Sequence, residues 1–143
     1  MQSSSSARAA RNVSVVIDSS AVVRATASHP EASAWIERIH AAEVDAHAPD
    51  LLYAEVANAL LLQVRAGRVE LAAALGLVDV VRRLPIRVIS LGELAVPALR
   101  VADERGLSVY DACYAVLAEE AHATLITADR RLARVVAESV VLD

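Results

Sequence analysis

A chain of 143 residues, 56% of them hydrophobic, is long enough for one domain with a full core and too short for two. Aromatic residues make up 3% and Phe is absent, which excludes a stacking platform for single-stranded nucleic acid and an all-β sandwich with an aromatic core. Fourteen arginines, no lysine and 18 acids give a net charge of −4, so no global basic field draws a polyanion, and any such ligand must be held by metal ions or a few local arginines.

Residues 1–12 (MQSSSSARAARN) read as a disordered Ser-rich leader ahead of one domain at 13–143. The leader has no apolar signal core. No apolar run approaches the roughly 18 residues of a membrane span. The single Cys113 excludes an intrachain disulfide framework and a Cys-based zinc knuckle, and a lone thiol fits a reducing compartment. Together these features predict a cytoplasmic protein with no membrane partner.

VSVVI (13–17) is a continuous apolar strand ending at Asp18, and Ser19 to Ala27 reads as a short helix. Pro30 stands where a first helical residue would, and the following EASAWIERIHAAE turns Trp35, Ile36 and Ile39 inward. Val44 to Ala48 is a second strand, closed by Pro49. Asp50 is expected to cap a long helix through Ala66, which Gly67 ends. Val69 to Leu84 is a further helix, apolar on most sides. Pro85 stops it, and IRVIS (86–90) is a third strand. Leu91 to Arg105 is helical up to Gly106, with Pro97 placing its start or straightness in question. Ser108 opens a helix through Ala121, TLIT (124–127) is a fourth strand, a short helix follows Asp129, and SVVL (139–142) is a fifth strand. Strands apolar on both faces and separated by helices predict an α/β fold with a parallel sheet covered on both sides. Ligands of such sheets bind beyond the carboxyl ends of the strands.

Four acids are placed unusually. Asp18 and Asp129 directly follow strands. Glu55 lies in LLYAEVANALLLQV, a helix otherwise almost wholly apolar, and Asp111 lies in the first turn of SVYDACYAVLAEE. Each also has an ordinary reading. Asp18 and Asp129 can cap the helices that follow them. Glu55, Asn58 and Arg65 can form a thin solvated stripe, and Ser108 with Asp111 matches a capping box. The functional reading rests on the joint occurrence of all four at the edge of the sheet where sites form. Carboxylates there suit Mg²⁺ or Mn²⁺, hard cations that take oxygen ligands and retain water. Such ions bind a phosphodiester, activate water and stabilise a leaving oxygen. Ser19, Ser20, Asn58 and Thr127 stand beside these acids in sequence and can support them by hydrogen bonding, capping and turn chemistry being the alternative.

The segments VVIDSSAVV, YAEVANAL, SVYDACYAVLAEE and LITADRRLA resemble, in order, the four motif blocks of the PIN-domain family, and in particular its VapC-type toxins. The resemblance runs from Val13 to Asp143. It implies a single PIN-like domain with a five-stranded parallel sheet flanked by helices on both faces. It also implies a metal-dependent endoribonuclease that hydrolyses RNA, forms a homodimer and is inhibited by a cognate antitoxin. The family's metal-binding catalytic acids map onto Asp18, Glu55, Asp111 and Asp129, and its accessory polar positions onto Ser20, Asn58 and Thr127, with Ser19 beside them.

Among the remaining candidates, the four histidines show no metal-ligand pairing and read as surface or helix-end residues, and Cys113 reads as a small buried hydrophobe. Of the arginines near the motifs, Arg130 and Arg131 form the best cluster for RNA phosphates, against the alternative of a solvated helix face. The helices at 50–66 and 69–84 carry more apolar surface than a small sheet can cover, which predicts a dimer interface or an antitoxin groove. Two rival readings differ in class. One is a PIN-like module that binds RNA or protein without cutting. The other is a receiver or phosphatase fold with Asp18 as phosphoacceptor, disfavoured because no second Asp follows the strand and no Lys exists.

Overall fold

Among the described residues, 12–143 of this computed structural model, five short runs, all but the second rich in β-branched residues, pair into one sheet. The strands are β1 (Val13–Ile17), β2 (Val44–Pro49), β3 (Ile86–Ile89), β4 (Thr124–Thr127) and β5 (Ser139–Val141). The helices between them are α1 (Ser19–Thr26), α2 (Pro30–His40), α3 (Leu51–Arg65), α4 (Leu71–Arg83), α5 (Leu91–Arg105), α6 (Val109–Glu120) and α7 (Arg130–Ala133). The leader expected at 1–12 lies outside the described residues except for Asn12, whose Nδ2 donates to Asp45 Oδ1 at 3.4 Å.

Every strand pairing is parallel and the order is β3-β2-β1-β4-β5. From the central β1 the chain first builds outward through β2 and β3, then crosses back to add β4 and β5. The direction of winding therefore reverses between β1 and β4. Connections diverge to opposite sides at such a point and leave a crevice beyond the strand ends.

Alternation along β1 divides the core into two layers. Val15 and Ile17 pack with Ala21 and Val22 of α1, Ala32 and Ile39 of α2, Leu52, Val56 and Leu60 of α3, and Ala74 and Val81 of α4. Val16 points the other way, into Leu94, Ala98 and Ala102 of α5 and the buried run Ala112 to Ala118 of α6. Small alanines let α5 and α6 approach closely, the arrangement a Phe-free core requires.

Two local expectations change. Asp50 occupies the N-cap position of α3 but makes no side-chain cap bond, because its backbone is itself helical (φ −64, ψ −14) and its carboxylate does not fold back over the first turn. A cap residue needs the extended conformation to do so. Pro97 does not break α5, which runs unbroken from Ser90, whose Oγ accepts from Glu93 N at 3.3 Å. Gly106 ends α5 in the left-handed region at φ +68, where a side chain would be strained.

Candidate active site at the carboxyl rim of the sheet

Asp18 follows β1 and stands at the N-cap position of α1 in the extended conformation a cap requires, yet it makes no side-chain cap bond. Its carboxylate is bound by hydroxyls instead. Oδ2 accepts from Ser20 Oγ at 2.8 Å and from Thr127 Oγ1 at 2.6 Å, while Oδ1 accepts only from Ser19 Oγ at 3.3 Å. The two hydroxyls on Oδ2 are fixed from behind. Ser20 Oγ accepts from Ala128 N at 2.9 Å, and Thr127 Oγ1 accepts from Asp129 N at 2.9 Å. With backbone donors on their lone pairs, their single protons go to Asp18. The bridge therefore ties the end of β1 to the end of β4 across the crevice.

Asp18 is only 5% exposed, and Thr127 is fully buried. Burial raises the Asp18 pKa above the usual carboxylate range. The Thr127 and Ser20 hydrogen bonds oppose that shift, and the charge of Asp111 adds to it. Glu55 reaches the same rim from α3. Its pKa is also raised, first by burial, against the hydrogen bond from Tyr114, with the charges of Asp18 and Asp111 adding to the shift. Tyr114 Oη donates to Glu55 Oε1 at 2.6 Å. Tyr114 is fully buried on α6, three residues after Asp111, and burial together with the Glu55 charge pushes its own pKa far up. It holds Glu55 as a fixed neutral donor. The sequence reading did not single it out, although its i+3 spacing from Asp111 put it on the same helix face.

Asp111 and Asp129 have other attachments. Ser108 Oγ accepts from Asp111 N at 3.1 Å, so half of the capping box forms. The Asp111 carboxylate does not complete it and instead pairs through Oδ2 with Arg131 Nη2 at 3.2 Å. Asp129 does cap its helix, Oδ1 accepting from Arg131 N at 2.9 Å and from Leu132 N at 3.2 Å. Ser19, Ser20, Glu55 and Asp129 line one open cleft of about 450 Å³ together with Val23, Arg24, Ala27, Ala59 and Ala128. Asn58 is exposed and is not part of the cleft wall. Arg130 is turned toward Asp143. Among the described residues, no three His, Cys, Asp or Glu side chains converge closely enough to hold one ion.

A parallel α/β sheet with crowded carboxylates at its switch point defines a class of site, and the family behind it is shown by comparison. The sequence model of the PIN domain matches residues 15–138. The chain belongs to the PIN-domain family. Ribonuclease VapC3 of Pyrobaculum aerophilum is 33% identical over 121 residues, covering 83% of this chain and 92% of that one. Exonuclease VapC9 of the same organism is 44% identical over 82 residues, 54% of this chain and 57% of that relative. The crystal structure of PAE2754 from Pyrobaculum aerophilum matches with a TM-score of 0.71 at 32% identity, covering 90% of each chain.

Proposed function

We propose that this chain is a metal-dependent endoribonuclease acting as the toxin of a toxin–antitoxin pair. One observation carries the reading: Asp18 is buried at a helix start it does not cap and is fixed by two hydroxyls whose orientations the backbone sets. Keeping a carboxylate in so desolvated a place costs stability, and a functional demand accounts for it.

Asp18, Asp111 and Asp129 are the proposed holders of Mg²⁺ or Mn²⁺, with Glu55 as a further ligand or as the group that orients the attacking water. The donor chemistry fits: the atoms are all oxygen, and Mg²⁺ is commonly held by one or two carboxylates with water and substrate phosphate completing the shell, so the convergence of three acids, which the described residues do not show, is not required. Charge crowding contributes to the raised pKa of both Asp18 and Glu55, and a divalent cation among them would offset it. When bound, such an ion supplies Lewis acidity toward the phosphodiester and lowers the pKa of a water. Ser20 and Thr127 are the proposed supports of Asp18, each donating a hydrogen bond to its carboxylate and accepting one from a backbone N–H. Cleavage is direct hydrolysis by water. Tyr114 restrains Glu55. Arg131 pairs with one oxygen of Asp111 only, Oδ2, which leaves the other oxygen for an ion and places the Arg131 guanidinium at the rim as the proposed partner of RNA phosphate together with Arg130.

The groove between α3 and α4, about 430 Å³ and lined by Leu60, Leu61, Val64, Leu71 and Leu75, is the proposed seat of a second copy or of an antitoxin segment.

The test is cleavage of labelled linear and circular RNA with Mg²⁺, with Mn²⁺ and with chelator, beside Asp18→Asn. Ion-dependent cutting of both RNAs, lost in the variant, is the expected result. Cutting of linear RNA alone would make the enzyme an exonuclease. Ion-independent or undiminished cutting would refute the assignment of the acids. RNA binding without cutting would make the chain a PIN-like binding module.

A further inference from the structure

Arg24 lines the acid cleft along with Ser20, Glu55 and Asp129. Its Nη1 donates to the backbone oxygen of Asp143. His29 Nε2 bonds the same oxygen at 3.0 Å, and Arg130 Nη2 reaches Asp143 Oδ1 at 3.0 Å. Three donors, from the last turn of α1, the residue before α2 and the first residue of α7, thus converge on the oxygens of one residue.

The donor role of His29 is fixed locally. Its Nδ1 accepts from Ala32 N at 3.2 Å and caps α2. A ring nitrogen that accepts carries no proton, so the neutral ring keeps its proton on Nε2, the atom bonded to Asp143. Ser28 delivers His29 to this position with φ +62, a region L-residues rarely adopt.

The side chain of Asp143 is held loosely. The Arg130 and Asp143 side chains are 72% and 86% exposed, and exposed pairs of this kind contribute little. A phosphate offers the same kind of negative oxygens with more charge, and guanidinium groups match it in geometry. Arg130 and Asp143 also border a hollow of about 390 Å³ with Arg134 and Ser139. The three donors therefore link the acid cleft to a second basin beside β5.

We infer that Arg24, His29 and Arg130 form a phosphate subsite for the RNA strand next to the carboxylate rim, and that Asp143 fills it as a displaceable internal occupant. The identity of the ligand rests on the ribonuclease reading above. The subsite gives a net-acidic chain a local hold on a polyanion.

The test is binding of a labelled single-stranded oligoribonucleotide to the full chain in chelator, by fluorescence anisotropy across a salt series. Arg24→Gln with Arg130→Gln is expected to weaken binding at least tenfold and to lower the salt slope by roughly 0.7, the loss of one neutralised phosphate. Arg130→Gln alone, on an exposed side chain, reports the same direction if the double variant folds poorly. Asp143→Ala frees Arg130 from its carboxylate while the main-chain oxygen stays on Arg24 and His29, and is expected to tighten binding severalfold through Arg130. Unchanged affinity and slope in the arginine variants would overturn the subsite, and unchanged or weaker binding by Asp143→Ala would overturn the internal occupant. Metal-dependent cutting with unaltered binding by the variants removes this inference and leaves the ribonuclease reading standing. RNA binding sensitive to Arg130 and Asp143 but without cutting does the reverse.

Discussion

At the scale of single residues, the site turns on how the buried Asp18 carboxyl is held. Thr127 and Ser20 pull its pKa down against desolvation. Thr127→Val removes the shorter of the two bonds on Oδ2, so the Asp18 pKa rises further. The acid limb of the pH–rate profile is then expected to move to higher pH. An unmoved limb would show that Asp18 need not be ionised for turnover. Stability carries the opposite sign. Because the folded pKa of Asp18 lies above its unfolded value, the folded state binds the proton more tightly. Its contribution is fully present below about pH 4 and is lost as pH rises through the raised value. In chelator, Asp18→Asn should therefore gain melting temperature over wild type as pH increases, and parallel melting curves would contradict this. Tyr114→Phe leaves the half-buried Glu55 without its donor. The expected cost is about 1.5–3 kcal/mol of stability, the range for hydrogen bonds to charged groups, read by denaturant titration.

Among the elements, the site is assembled from both layers. α3 brings Glu55 from the layer that packs on Val15 and Ile17, and α6 brings Asp111 from the layer that packs on Val16. α3 begins just after β2 leaves the carboxyl side of the sheet, whereas α6 follows α5 and the turn at Gly106. Ser108 sets where α6 begins. Ser108→Ala removes the cap on Asp111 N and is expected to cost about 0.5–2 kcal/mol. Cleavage should fall along with melting temperature as the turn carrying Asp111 loosens. An intact melting temperature would deny Ser108 the capping role. The strands and helices were legible in the sequence because β-branched runs, Pro30, Gly67 and Gly106 mark their limits. The acids were legible because their positions after strands and within apolar helices are costly ones. Cap roles were not. Asp18 and Asp50 both precede helices, and only backbone angles and neighbouring hydroxyls decide that neither caps. Strand order, the Tyr114 bond to Glu55, the Arg131 pairing with Asp111 and the donors gathered on Asp143 all join residues distant in sequence. Local periodicity carries no record of such contacts.

The whole molecule is a closed core with apolar surface remaining. Leu71 and Leu75 on α4 are 58% and 62% exposed, and Val96, Leu99 and Tyr110 are exposed on the opposite layer. Among the described residues no helix is long and apolar enough to cross a membrane. Leu71→Asp with Leu75→Asp should reduce the mass seen by light scattering or abolish co-purification with a partner, while leaving the melting temperature near wild type. A strict monomer with no partner in the wild-type protein would count against the groove. The account as a whole depends on the switch-point carboxylates capturing a divalent cation. Titration calorimetry of Mn²⁺ into the RNA-free protein, wild type beside Asp18→Asn, tests that claim most directly. Saturable binding by wild type that is lost in the variant is the predicted result. Equal binding by the two proteins, or none by wild type, would contradict it.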